Sequence, residues 1–397
     1  MTIWLDRIIY WGLIVQIIAL PLRHSDTVVL AAFALPLLAL IARRVITRQK
    51  YGPTPMDLPL ALFLAAALVS LLYSVDPAET IDEIRSDIII PLATFYLAAW
   101  GLRSRSQLVG LGQAAVVVLG LLTGYGIIHF FAVGGQLSSY AYREASLSLD
   151  YHFLGTYLIT AFPLALIVAV SHPRRIWLWA GRAVALSVPL GVYITFDRGC
   201  WLALVFMGLA LYPLFIQRLG IYLVGLGLAL LALFVVAPTG VLIHGQKVGV
   251  YTGEEIEANT FSQRALVWSY CLDEIKANPL SGIGYGRHNF KKAFPEFWEK
   301  YQRWQLWHCH NTYLDLAIQI GLLGLAAFAF LMVTALRMAY GIWRRAGPGR
   351  LWGAAGVLCV GALLIRIFWD SFYIDEHIRL LWLFLGAIWA ASRMEKA

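Results

Sequence analysis

Long apolar runs, interrupted by short clusters of charge or by Pro and Gly, fill most of this chain. Read between the interruptions, they predict about twelve helices, over roughly 6–22, 27–43, 57–74, 87–102, 108–133, 151–171, 175–196, 199–217, 220–240, 310–336, 351–369 and 377–392. Most are close to the roughly 20 residues a helix needs to cross a bilayer. Gly and Ala recur inside them, as they do where helix backbones approach closely in lipid. One connection stands apart. Val241 to Cys309 is a stretch of 69 residues, far beyond the roughly 12–15 of an ordinary connector. It is rich in Trp, Tyr and Phe and carries two helix-like stretches. The chain thus divides into 1–240 with nine spans, 241–309 as a large loop where chemistry would sit, and 310–397 with three more spans. The predicted fold class is an all-α polytopic integral membrane protein.

Composition agrees: 60% of the 397 residues are apolar, 14% are charged, and mean hydropathy is +0.70. A soluble domain has about 45–50% apolar and about 25% charged residues, so a soluble enzyme and a disordered chain are both excluded. The formal charge of +8 does not require a nucleic-acid partner, because insertion bias alone gathers Lys and Arg in cytoplasmic loops. With the N-terminus inside, those loops hold fifteen Lys and Arg, against five in the short outer loops: Arg23, Arg85, Arg143, Arg198 and Arg379. Both termini are then cytoplasmic and the long loop lies outside. The first residues lack a basic segment followed by a cleavage site and read as a retained span. Cys200, Cys271, Cys309 and Cys359 show no C-x-x-C spacing, and whether Cys271 and Cys309 pair is a matter of geometry.

Candidate chemistry gathers on the outer face. A helical stretch runs from Ser262 to Asn278-Pro279. With Ser262 as N-cap, or Thr260 and Gln263 as a capping box, Arg264 falls in the first turn. A cation there opposes the helix dipole by roughly 0.3–1 kcal/mol. An anion held by free N–H groups and the guanidinium would offset that cost; pairing with Glu254, Glu255 or Glu257 would do the same. The segment Pro279-Leu280-Ser281-Gly282-Ile283-Gly284-Tyr285-Gly286 reads as a compact turn, and Arg287 after it offers a second cation. Asp197-Arg198-Gly199, in the tightest hairpin, places Arg198 either on an anion or among headgroups. Arg143 is of the same kind. His308-Cys309-His310-Asn311 falls short of the four ligands of structural zinc. A His in the first turn of span ten is disfavoured as imidazolium by the positive helix end and can accept a proton, although an interfacial His is more often structural. The sequence has no D-x-D, Walker loop or H-E-x-x-H. A diphosphate handled here would be neutralised by arginines, with no metal and no cofactor expected.

Several of these residues resemble a known family. His310-Asn311, nine residues, Gly321, two residues and Gly324 resemble the H-[NSQ]-x9-G-x-x-[GTY] motif of O-antigen ligases. The stretch from Ser262 to Gly284, with Arg264 and Asn278-Pro279-Leu280-Ser281-Gly282-Ile283-Gly284, is similar to the region before that histidine, and Asp197-Arg198-Gly199 also matches. The chain departs from the pattern at Gln263, which stands between Ser262 and Arg264, and in the extra His308.

The resemblance implies a GT-C-like glycosyltransferase of the bacterial inner membrane, with a periplasmic loop and active site between spans nine and ten. It further implies transfer of O-antigen from undecaprenyl diphosphate to the lipid A core. Arg264, Arg198 and Arg287 would hold the diphosphate, and His310 would act on the acceptor hydroxyl, with Arg143, Asn311 and His308 as secondary candidates. The partners implied are the lipid-linked donor, the lipid A core acceptor and membrane lipid. An O-antigen polymerase shares these motifs, whereas related protein oligosaccharyltransferases usually continue past the point where this chain stops. A transporter is the reading from another class. It would show repeat symmetry or ionisable residues at mid-membrane depth, and Arg182 and Arg366 are the main charges inside the predicted spans.

Overall fold

The computed structural model describes residues 2–22, 24–137, 143–145, 151–215, 245–249, 255–347, 349–371 and 375–394, with backbone alone for 211–215, 245–249, 255–261 and 375–377. Predicted span nine, 220–240, lies outside the described residues. The architecture is an all-α polytopic membrane fold. Its membrane-embedded helices are α1 (Thr2–Ala19), α2 (Asp26–Thr47), α3 (Asp57–Val69), α5 (Ile90–Gly101), α6 (Arg105–Ala132), α7 (Tyr151–Ser171), α8 (Arg175–Tyr193), α9 (Arg198–Phe215), α13 (Thr312–Trp343), α14 (Arg350–Arg366) and α15 (Asp375–Arg393). Among the described residues, six of these are long and apolar enough to cross a bilayer outright.

Internal polar groups are matched where the helices need them. Pro36 in α2 has no N–H, which leaves the Ala32 carbonyl without its helical donor. Gln16 of α1 donates to that carbonyl at 2.9 Å. Gly12 makes this approach feasible, since a Cβ there would lie 1.9 Å from the Pro36 ring. Helix α7 is apolar all round and buried from Leu154 to Ala169, the signature of a helix at the centre of a bundle. It packs against α6, α8, α9 and α14.

Two predicted boundaries move. The fourth span begins ten residues earlier than expected, as α4 (Pro77–Ile84), continued through a π-turn at Arg85–Ile89 into α5. Asp76 caps α4, accepting from Ala78 and Glu79 N–H at 3.1 Å, and Pro77 fits the first turn. The acidic run after span three is therefore helix rather than loop.

The second change is in span ten. Helix α13 breaks at Ile320–Gly321, where Gly321 has φ +70° and ψ 175°. This conformation is open to Gly at little cost. The break receives the glycine-rich segment of the long loop: Leu322 N–H donates to Pro279 O at 2.9 Å, Ile283 N–H to Ile318 O at 3.1 Å, and Gly284 N–H to Gln319 O at 3.2 Å. A Cβ at Gly282 would lie 2.1 Å from the Gln319 oxygen, and one at Gly321 would lie 2.4 Å from the Leu280 oxygen. So the glycines of 279–284 do not form a free turn between loop helices. They let the loop backbone replace hydrogen bonds that α13 gives up inside the bundle.

The loop itself holds an antiparallel hairpin, β1 (Gly245–Gly249) with β2 (Glu255–Asn259), Gly245 opposite Asn259. Then come α10 (Thr260–Ala277), α11 (Asn289–Ala293) and α12 (Pro295–Tyr301). Cys271 and Cys309 form a disulfide across 38 positions. Both lie in a small core of Val267, Ile275, Phe290, Phe297 and Leu306 that also takes in Ala317 and Ile318 of α13. The loop is thereby fixed to span ten by covalent, apolar and backbone interactions at once.

Candidate functional site

On the face that carries the loop, five chain segments converge. His152 comes from the first turn of α7, Asp197 and Arg198 from the α8–α9 hairpin, Arg264 from α10, His308 and His310 from the approach to α13, and Arg366 with Asp370 from the end of α14. Two carboxylates organise them. Asp197 is buried, with its Oδ2 2.8 Å from Arg366 Nη2 and 2.6 Å from His152 Nδ1. Burial by itself raises a carboxyl's pKa, but the charges of Arg366 and His152 overcome it and hold Asp197 well below the usual range. Asp370 sits 3.1 Å from His310 Nδ1 through Oδ1 and 3.8 Å from Arg264 Nη2 through Oδ2. Here too burial acts upward and loses, this time to the hydrogen bond and charge of His310, with His152 and Arg366 adding to it.

Arg264 is largely buried. Desolvation lowers its pKa, Asp370 acts against that, and Arg366, Asp197 and Arg198 lie close enough to act on its charge. Arg143 stacks over the Tyr151 ring at 4.4 Å and is influenced by Arg198 and Asp197. Among the described residues, Arg143, Arg198, Arg264 and Arg366 thus lie within one another's electrostatic reach around Asp197 and Asp370. Guanidiniums grouped in this way at a membrane boundary have the donor geometry that an anionic ligand uses.

The sequence-predicted residues are not all brought together. Arg143, Arg198, Arg264 and His310 meet in this network. Arg287 instead lies over the Trp307 ring at 5.0 Å, and Trp307 in turn packs edge-on to His308. Trp307 also stacks on His288 at 5.1 Å and faces Lys291 at 4.9 Å, while Trp298 faces the same lysine.

Local expectations change as well. Helix α10 starts at Thr260, so Arg264 is its fifth residue and not part of the first turn. The guanidinium acts through its side chain rather than beside the free N–H groups of the helix mouth. His310 precedes α13 with φ +49° and is not in its first turn. Asn311 is the N-cap, its Oδ1 accepting from Tyr313 and Leu314 N–H at 2.9 and 3.2 Å, which is a structural task. His308 is buried, and its Nδ1 accepts from the His310 N–H at 3.0 Å. Desolvation, then the charge of His310, lowers its pKa.

His152, Arg366 and Asp370 were not singled out from sequence as members of this site. The available signal was modest: a charge at the loop end of span eleven, with an aspartate four positions later. His308, His310 and Asp370 offer ligand atoms within 4.8 Å of one another and could hold a divalent cation; Glu79, Glu83 and His288 form a second such group. Two imidazoles and a carboxylate suit a transition metal, but Cys309 cannot join them because it is tied to Cys271.

Fold and site together define a multi-pass membrane protein with a buried, cation-rich site at one membrane face, built around an Asp–His pair. Residues 182–329 match the family described as O-antigen ligase. That stretch includes Arg198, Arg264, Arg287 and His310 and stops before Arg366 and Asp370. The chain is also similar to the exopolysaccharide production protein ExoQ of Rhizobium meliloti (strain 1021), 27% identical over 99 residues. That alignment covers 24% of this chain and 22% of the relative's length. The matched stretch, which is less than half of the chain, is thus similar to the O-antigen ligase family, and the chain spans about a fifth of the length of the curated relative it resembles.

Proposed function

We propose that the protein is an O-antigen ligase that transfers a polysaccharide from undecaprenyl diphosphate to the lipid A core, at the periplasmic face of the bacterial inner membrane with both termini in the cytoplasm. One observation carries this reading. Asp370 touches both Arg264 and His310, so the group that would clamp a diphosphate and the group that would take a proton share one carboxylate.

In this mechanism the donor diphosphate lies among Arg143, Arg198, Arg264 and Arg366. His310 Nδ1–H donates to Asp370, which fixes the tautomer and leaves Nε2 as the base. Nε2 faces the Gln305 carbonyl at 3.3 Å, a contact in which only the nitrogen can donate; the base form arises when Nε2 gives up that proton to solvent, and the acceptor hydroxyl then takes the carbonyl's place. The hydroxyl oxygen attacks the anomeric carbon, its proton passes to Nε2, and the bond from that carbon to the diphosphate oxygen breaks. Asp370 steadies the imidazolium so formed, and the arginines stabilise the charge that grows on the departing diphosphate. Preorganised donors of this kind are each worth roughly 2.7–4 kcal/mol when removed. A single displacement inverts the anomer. Charge neutralisation rests on arginine, so excess EDTA leaves transfer intact; loss of activity restored by Mg²⁺ would overturn that part.

The test is transfer in vitro from a lipid-linked glycan to lipid A core, comparing wild type with His310→Ala. Loss of general-base help lowers the rate by about 10²–10⁴-fold, and wild-type rates in the variant would end the proposal. The name of the similar Rhizobium protein keeps a second reading in view, in which the acceptor is another lipid-linked glycan and the protein is a polymerase. Mass analysis of the product's reducing end separates the two.

A further inference from the structure

The disulfide joins two segments that carry opposite halves of the site. Cys271 follows Arg264 by seven residues in α10, two turns along the same face of that helix. Cys309 stands between His308 and His310. Both cysteines are fully buried, in the small core that contains Val267, Phe290 and Leu306. His310 itself holds φ +49°, a left-handed backbone that a residue with a Cβ rarely adopts and that persists only where its surroundings impose it. Three constraints meet at this point. Cys309 N–H donates to Asp315 Oδ1 at 2.8 Å, His310 N–H donates to His308 Nδ1 at 3.0 Å, and Cys309 Sγ is bonded to Cys271 of α10. The two hydrogen bonds refer the histidine backbone to α13 and to its own segment, whereas the disulfide refers it to the helix of Arg264.

We propose that the Cys271–Cys309 bond is a positioning element for catalysis, one that sets the His310 imidazole relative to the Arg264 guanidinium; this role rests on the proposed transfer reaction. The sulfurs do no chemistry on the substrate. With the bond cut, the loop remains docked, because its glycine segment still bonds to α13 and its apolar core still includes Ala317 and Ile318. What is lost is the restraint on residues 309–310. The His310 backbone then relaxes toward negative φ and carries the ring away from Asp370 and the acceptor hydroxyl. A displacement of about 1 Å in a reacting group costs about 10²-fold in rate. Activity therefore follows the oxidation state of this pair. A dithiol reductant supplies two electrons and two protons: the S–S bond breaks, each sulfur becomes a thiol, and the reductant closes to its own disulfide.

The experiment measures steady-state transfer from a lipid-linked glycan to lipid A core by purified full-length protein in detergent. Cys271→Ser/Cys309→Ser removes the tether, and Val267→Ala loosens the same small core while keeping it. The double variant is expected to lose about 10²-fold in kcat with the donor KM little changed, and Val267→Ala to keep its kcat. Thermal midpoints check that each variant is folded at the assay temperature. If the double variant is not, wild type reduced with dithiothreitol takes its place. Alkylation and mass spectrometry then count two thiols beyond Cys200 and Cys359, and kcat should fall as they appear and return on reoxidation with oxidised glutathione. Wild-type kcat in the double variant or in fully reduced protein overturns the proposal. So does an equal loss of kcat in Val267→Ala, or a loss that reoxidation does not restore. His310→Ala, assayed in parallel, separates the two levels: transfer at the wild-type rate there defeats the proposed reaction, whereas its loss there with full activity in reduced protein defeats the role of the disulfide alone.

Discussion

Arginine is buried at both faces of this bundle, for opposite reasons. Arg43 on the side away from the loop is fully buried and reaches Asp6 at 2.5 Å, the Trp100 carbonyl at 2.7 Å, the Tyr51 hydroxyl at 3.3 Å and the Gly101 carbonyl at 3.5 Å. Its guanidinium is spent on joining α1, α2 and α5. At the loop face, Arg366 pairs with Asp197 and Arg264 with Asp370, and each carboxylate also meets a histidine. A buried arginine is therefore not by itself a sign of function. What separates the two faces is the company of the guanidinium: Arg43 is spent on backbone carbonyls, a hydroxyl and Asp6, whereas Arg264 shares Asp370 with a histidine.

The largest effect should come from exchanging the same chemistry at the two places. Arg264→Lys keeps the charge but loses the planar fork, and transfer should fall by about 10²–10³-fold with the thermal midpoint little changed. Arg43→Lys should leave transfer near normal and cost about 2 kcal/mol of stability through lost charged hydrogen bonds. If both variants show the same profile, the distinction between the faces fails. Parallel transfer assays and thermal unfolding decide it.

Asp370→Asn comes next. It keeps the volume and a hydrogen-bonding side chain but removes the charge that would orient and stabilise His310. A rate loss on the order of 10²-fold is expected from misplacement of the reacting group, with the largest deficit where His310 must act as a base. An unchanged pH–rate profile would show that Asp370 only supports the fold.

A smaller effect, on stability rather than chemistry, is expected at the joint between loop and bundle. Gly321→Ala forces a side chain into a positive-φ position and places its Cβ against the Leu280 carbonyl. The cost should be about 1–3 kcal/mol, seen as faster hydrogen exchange across 279–284 than elsewhere. Uniform protection would mean that the break in α13 is not what holds the loop.

The smallest effect concerns pH. The folded protein holds the His308 pKa below its ordinary value of 6.5. As pH falls through about 6.5, the unfolded chain takes up a proton that the folded one refuses, so stability decreases until the lower folded value is passed. Thermal midpoints between about pH 7 and 5 should decline less in His308→Gln than in the wild type.

Apolar runs were enough to show where most helices lie, because in lipid each backbone polar group must be satisfied within its own segment and little else is permitted. They also marked the long loop, and the short motifs pointed to Arg198, Arg264 and His310, which the fold brings into one network. The limits are equally physical. The π-turn at Arg85–Ile89 and the broken helix at Gly321 trade internal hydrogen bonds for tertiary ones, and no run of hydropathy records that trade. Arg287 stands next to the glycine segment in sequence yet lies over Trp307, because the segment docks on α13 and Asn289 after it bonds to Thr80 of α4.

What the chain alone determined is the membrane class, the helical runs, the surplus of arginine near one face and the residues of the family motif. These follow from local hydropathy and from side-chain chemistry at fixed spacing. What only the tertiary structure decided is which charges meet. His152, Asp197, Arg264, His310, Arg366 and Asp370 are scattered over more than two hundred positions. They become one network because α7, α9, α10, α13 and α14 end at a common level, and Coulomb interactions depend on distance in space rather than along the chain.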